Sequence, residues 1–143
     1  MKRYIKLIGL PFLIAVVIFL LIRLVWLKGF TFTNMGVDEY VEFYNSNREG
    51  IIYVTKEDAV MKKEFETVIS NNFENKKIKV YKLDLTNVSG DEEQKFIDAS
   101  AFAENEYTIP MLLYIKDGNI VASIQGYVPD YKVQELITNN NIE

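Results

Sequence analysis

Hydrophobic and polar positions follow three different patterns along the chain. From Leu7 to Leu27 the residues are apolar throughout except Arg23, and a helix needs about 20 such residues to cross a bilayer core. Beyond that run the periodicities are those of alternating helices and strands. Val37, Tyr40, Val41 and Tyr44 recur at helical spacing, which predicts a short amphipathic helix ended by Gly50. Ile51–Val54 reads as a buried strand. Thr55-x-x-Asp58 has the form of a capping box opening a second helix, in which Met61, Phe65, Val68, Ile69 and Phe73, or Asn72 beside it, keep helical spacing. Residues 78–83 alternate as a half-buried strand. Ser89-x-x-Glu92 caps a third helix through about Ala103, with Phe96, Ile97 and Ala101 inward. Met111–Ile115 is a buried strand, Lys116–Asn119 a hairpin turn built on Asp-Gly, and Ile120–Ile124 the returning strand. Val133, Leu136 and Ile137 form the inner stripe of a last helix after Pro129. The predicted order is α-β-α-β-α-β-β-α, an α/β domain with a parallel pair followed by an antiparallel hairpin.

The apolar run divides the chain into parts. Residues 1–6 form a basic N-terminus, 7–27 a transmembrane signal anchor, 28–36 a connector, 37–138 the folded domain and 139–143 a tail whose polar residues 139–141 are expected to fray. Arg23 near one end of the run can snorkel, and Trp26 sits where interfacial aromatics gather. The run exceeds a signal-peptide core, and LKGFTFTNMG after it has no small-x-small cleavage pattern, so an uncleaved anchor is expected. Lys2, Arg3, Lys6 and the amino terminus outnumber Arg23 and Lys28, which places the N-terminus in the cytoplasm and the domain outside. The expected location is the cell membrane, crossed once.

Composition narrows the chemistry. The 143 residues contain no Cys and no His. Disulfides, thiol nucleophiles and thiolate metal sites are therefore excluded, and the usual general base near neutral pH is missing. Five of the 16 basic residues lie in 1–28, and all 20 acids lie in 29–143, so the C-terminal part carries −9. Such a domain repels phosphate backbones, and no nucleic-acid partner is expected.

The element order, with Ile109-Pro110 immediately before the hairpin, resembles the thioredoxin fold. IPMLLYIKDGNIVASIQG is similar to the family's motif, with Gly118 eight and Gly126 sixteen positions after Pro110. The resemblance implies a three-layer sandwich around a mixed four-stranded sheet, with Ile109-Pro110 cis. Active members start the helix after the central strand with Cys-x-x-Cys. Alignment on Phe65 puts Ala59 and Lys62 at those two positions, with Val60 and Met61 between them. The buried acid that assists thiol deprotonation in many members falls at about Tyr53. Without a thiolate the domain cannot catalyse thiol–disulfide exchange.

The expected function is a redox-inactive, membrane-anchored binding or assembly module, acting on a protein or peptide partner at the cell surface or in the membrane. The alternative is an accessory or immunity factor for bacteriocin or peptide export. The resemblance places the binding surface at Ala59, Val60, Met61, Lys62, Tyr107, Ile109 and Pro110. No cofactor is expected. Glu57 and Asp58 are better read as helix caps than as an acid/base pair, since a helix N-terminus keeps a carboxylate ionised. Asp84, Asn87, Ser89, Asp91, Glu92 and Glu93 are oxygen donors without the EF-hand spacing, better read as a loop and a cap.

Overall fold

The structure is a computed structural model that describes residues 14–20, 30–102 and 107–143. Two units are distinguished, residues 1–30 and Thr31–Glu143. In the first, residues 14–20 are helical and exposed, Phe19 to 60%. The rest of the expected anchor at 7–27 lies outside the described residues. Among the described residues no helix is long and apolar enough to cross a membrane.

The second unit contains five strands and four helices in the order β1 (Thr33–Met35), α1 (Val37–Tyr44), β2 (Glu49–Thr55), α2 (Lys62–Phe73), β3 (Val80–Asp84), α3 (Gly90–Ser100), β4 (Met111–Lys116), β5 (Asn119–Gln125) and α4 (Asp130–Asn139). They build one mixed sheet in the order β1-β3-β2-β4-β5. β1 and β2 run parallel to β3, while β4 is antiparallel to both β2 and β5. The expected sheet had four strands. The fifth, β1, comes from residues read as connector, where three mostly exposed residues pair with Tyr81, Lys82 and Leu83. Backbone pairing rather than a hydrophobic pattern makes this strand.

β2 is central and buried on both faces, which explains its continuous apolar run. Its even positions, Ile52 and Val54, join one core with Tyr40 and Phe43 of α1 and Phe96 of α3. Its odd positions face α2 and α4, where Phe65, Ile69, Phe73, Val133, Leu136 and Ile137 are buried. Gly50 belongs to β2 rather than ending α1, and a Cβ there would lie 3.0 Å from Phe43 Cζ.

The two predicted capping boxes have different outcomes. At α3 the box is present, since Ser89 Oγ accepts from Glu92 N at 3.2 Å and Ser89 N donates to Glu92 Oε2 at 2.9 Å. Ala101 ends this helix in the left-handed region and is exposed, not inward. At α2 no box forms. Thr55 is buried inside β2, its hydroxyl donates to Lys56 O, and the helix begins seven residues later. The hairpin turn matches its prediction, with positive φ at Asp117 (51°) and Gly118 (70°). The C-terminal residues do not fray. Ile142 is buried, and the backbone N–H groups of Lys77 and Ile78 donate to Glu143 O.

Candidate functional site

The C-terminal ends of β2 and β3 and the N-terminal end of β4 meet at one edge of the sheet. Val54 opposes Met111 and Thr55 opposes Asp84, so the chain leaving β2 at Lys56 lies beside the segment entering β4 through Ile109-Pro110. That peptide bond is cis, as expected. Three hydrogen bonds, two between backbone groups and one to a side chain, fix the loops around it. Gly126 N donates to Pro110 O at 2.7 Å, Thr108 N to Gln125 Oε1 at 2.9 Å, and Leu85 N to Thr55 O at 2.8 Å.

Residues 56–61 turn before α2 begins. Ala59 N donates to Lys56 O at 3.2 Å and Lys62 N to Ala59 O at 3.3 Å. Met61 is the N-cap, held at φ 56° in the left-handed region with no side-chain cap. This turn pushes Val60 and Met61 outward, to 74% and 42% exposure. Glu57 and Asp58 are exposed in the turn and cap nothing, which corrects the reading of them as helix caps.

The other expected binding residues divide by role. Lys62 reaches Asp84 at 3.3 Å, across an open depression of about 420 Å³ bordered by Glu57, Thr86, Asn87 and Val88. Pro110 is buried, and Ile109 packs against the core, so both shape the loop more than they face solvent. Tyr107 is fixed at both ends. Its ring lies 5.8 Å from Phe96 and 6.0 Å from Phe102, and its hydroxyl donates to Glu93 Oε1 at 2.7 Å. The same Glu93 oxygen accepts from Lys56 Nζ at 2.6 Å. Tyr107, Glu93 and Lys56 therefore tie the loop before Pro110 to the start of the turn before α2.

Lys56 and, after it, Tyr107 hold the Glu93 carboxyl below the ordinary glutamate value, while burial and the Glu93 charge raise the Tyr107 phenol. A lowered carboxyl pKa stabilises the fold above the unfolded value of 4.5, and that contribution is lost as pH falls through the lower folded value. Glu93→Gln is expected to lower stability by about 1 kcal/mol at pH 7. The difference from wild type should shrink on acidification below the ordinary glutamate range. Thermal melts from pH 7 to pH 3 check this, and parallel curves at all pH values would contradict it.

Beneath the turn, Tyr53 occupies the expected position of the buried acid. It is fully buried, with Phe32 at 5.4 Å and Phe65 edge-on at 5.9 Å. Its hydroxyl has no hydrogen-bond partner among the described residues, although Thr55 is near enough to temper the effect of burial, which pushes the phenol to about 12. A phenol neutral at physiological pH cannot take a proton from a nucleophile. The nearby Lys82 lies 5.9 Å from the Tyr53 ring centroid and is committed to Glu66 at 2.7 Å.

Tyr127 belongs to the same surface and was not anticipated. It is 39% exposed and packs edge-on against Phe65 at 6.2 Å, one turn beyond Met61. Its position directly after Gly126, whose N–H bonds Pro110 O, is the signal that could have revealed it. The acidic and polar residues at 84–93 are spent on other partners. Asp84 accepts from both the Thr86 N–H and its hydroxyl, Ser89 and Glu92 cap α3, and Glu93 holds Lys56. No group of three acidic side chains converges to hold a metal among the described residues.

A central parallel pair, a terminal antiparallel hairpin, helices on both faces and a cis-proline loop beside the start of α2 define a thioredoxin-like fold, here without a thiol. Solved thioredoxins bear this out. That of Malassezia sympodialis superposes with a TM-score of 0.58 at 16% identity, covering 76% of this chain and 90% of the other. Thioredoxin f2 of Chlamydomonas reinhardtii gives 0.58 at 11% identity over 77% and 96%, and thioredoxin of Aeropyrum pernix 0.54 at 12% over 74% and 84%. No protein-family model matches the sequence, and no curated protein sequence matches it.

Proposed function

We propose that this chain is a membrane-anchored, redox-inactive binding module that holds a protein or peptide partner on the face formed by Ala59, Val60 and Met61, bordered by the Ile109-Pro110 loop. The observation that supports it most is the exposure of Val60 and Met61, which lie between the two positions aligned with the cysteines of active thioredoxins. Folding alone gives no reason to push two large apolar side chains into water, and exposed apolar patches mark interaction sites. Met61 adds a flexible, polarizable contact that adapts to varied surfaces. Tyr127 extends the patch on the far side of Phe65. Tyr107 contributes through its ring and through the Glu93 link that positions the loop. Lys62 sets the polar border of the patch through Asp84. The apolar run at 7–27 supports the anchor.

Val60→Asp combined with Met61→Asp tests the reading. Both side chains are exposed, so the domain should melt within about 0.5 kcal/mol of wild type. Aspartate also tolerates the left-handed conformation at position 61. Crosslinking of the full chain in native membranes, read by mass spectrometry, is expected to find one dominant partner with wild type. The double variant should lose it by at least about tenfold. An unchanged crosslinking pattern from a folded double variant would move the interface elsewhere.

A further inference from the structure

The chain leaving β2 carries two carboxylates that nothing in the domain uses. Ala59 N donates to Lys56 O at 3.2 Å and closes a turn whose two central residues are Glu57 and Asp58. Both are exposed, and neither side chain forms a hydrogen bond or ion pair among the described residues. The turn stands beside two adjoining open depressions. One is the depression of about 420 Å³ crossed by the Lys62–Asp84 pair. The other, of about 490 Å³, is lined by the Lys56–Glu93 pair. Glu57, Thr86 and Val88 border both. Each lysine along these walls is matched by its own carboxylate, while Glu57 and Asp58 are matched by none, so the local excess is two negative charges. Farther on, the exposed Lys63 and Glu64 in the first turn of α2 offset each other. Only Ala59 separates the free pair from Val60 and Met61, the exposed apolar side chains of the proposed docking face.

We propose that the partner segment held at this face is basic as well as apolar, with a lysine or arginine close to its apolar anchor that reaches into the depressions beside Glu57 and Asp58. The proposal rests on the binding reading above and names the partner's chemistry. Such a side chain has two parts, and the site offers a place for each. Its methylene stem lies along the half-buried Val88, and its charged head meets the two free carboxylates. The exposed amide of Asn87 on the same rim supplies a further acceptor. An acidic partner side chain would face the same two carboxylates with no free cation among the lining residues to receive it. The depressions therefore discriminate by sign of charge, which the apolar patch alone cannot do. Charges at the rim of an interface act chiefly on the rate of association and its salt dependence. The net −9 of residues 29–143 draws a basic segment in, and the free pair decides where it settles.

The full chain, reconstituted into phosphatidylcholine nanodiscs so that the lipid carries no net charge, is used to select from a displayed library of random linear peptides. Empty nanodiscs remove the lipid binders. Selected peptides are expected to combine apolar residues with lysine or arginine. For one such peptide, made synthetically, Glu57→Gln with Asp58→Asn should weaken binding at least about threefold and flatten its dependence on salt. Replacing the basic residue of the peptide by glutamine should remove the difference between the two proteins. Both substitutions fall on exposed, unpartnered side chains, so the variant should melt with wild type. Selected peptides without a basic excess, or basic ones that bind wild type and the neutralised variant equally, would overturn the proposal and leave the docking face standing. Val60→Ser with Met61→Asn removes the apolar patch without adding charge. Peptides that bind this variant as they bind wild type, or no selection above empty nanodiscs, would overturn the binding reading itself, and the basic partner with it.

Discussion

Phe96→Ala is expected to destabilise the domain by about 3–5 kcal/mol. In a domain of this size that lowers the melting temperature by roughly 15–25 °C. Phe96 is fully buried in α3, with its ring 5.1 Å from Tyr40, 5.8 Å from Tyr107 and 6.1 Å from Phe102. Truncation leaves a cavity among aromatic rings that cannot collapse together without moving α1 against α3. The polar chain beside it adds to the cost of any such movement. Tyr40 donates to Ser100 Oγ at 2.7 Å, and Ser100 donates in turn to Phe96 O at 2.7 Å, so shifting either helix breaks buried hydrogen bonds. The loss also reaches the site, because Tyr107 would lose one of the two rings that hold it beside the cis-proline loop. Denaturant melts give the stability change. A loss under about 1 kcal/mol would mean that the core relaxes around this position far more readily than its packing implies.

The second large effect lies at Tyr53, where two substitutions should act in opposite directions. Tyr53→Phe removes a buried hydroxyl that has no hydrogen-bond partner among the described residues and keeps the ring against Phe32 and Phe65. It is expected to leave stability unchanged or raise it by about 1 kcal/mol. Tyr53→Asp places the acid of many active thioredoxins at the same point and should cost about 3 kcal/mol or more. The ring volume is lost, and the new carboxyl is buried near Glu66 and Asp84, the charges that already raise the Tyr53 phenol. Lys82 cannot rescue it without leaving Glu66. Burial and those neighbours would raise the folded-state pKa of the carboxyl, so the variant should be least unstable in acid and lose stability as pH climbs above the unfolded aspartate value. Paired melts of the two variants across pH check this, and equal stability at all pH values would show that the position is open to water.

The residues that betrayed the fold were those whose conformation has few alternatives. Asp117-Gly118 requires two positive φ angles in sequence, and a two-residue hairpin is what supplies them. Ser89-x-x-Glu92 became a capping box because Ser89 stands clear of the preceding strand, free to turn its hydroxyl toward the helix. Thr55-x-x-Asp58 has the same form and failed because Thr55 is still part of β2, paired with Asp84. A local pattern cannot show that a strand has first claim on its residue. Thr33–Met35 was illegible for a related reason, since a three-residue edge strand defined by its parallel partner leaves almost no hydrophobic trace. The site was legible as a position and less so as a surface. Val60 and Met61 emerge because the turn before α2 is longer than a direct helix start would make it, whereas Ile109 and Pro110 are drawn inward by the core and by Gly126. Tyr127 joins them through Phe65, a contact between residues far apart in the chain that no short-range pattern encodes.

The central proposal is that the turn before α2 spaces positions 59 and 62 as a Cys-x-x-Cys pair is spaced, although the thiols are absent and Tyr53 stands where the buried acid is expected. Ala59→Cys with Lys62→Cys in this otherwise cysteine-free chain tests it most directly. Lys62 N donates to Ala59 O at 3.3 Å, a tight turn of the kind that brings the two Cα atoms within about 7 Å, near the outer limit a disulfide spans. Loss of the partly exposed Lys62–Asp84 pair should cost under about 1 kcal/mol, so the variant should stay folded. Under mild oxidation the account predicts an intramolecular disulfide between positions 59 and 62, seen as a loss of two mass units with no free thiol. Two free thiols persisting in the folded, oxidised variant would contradict it.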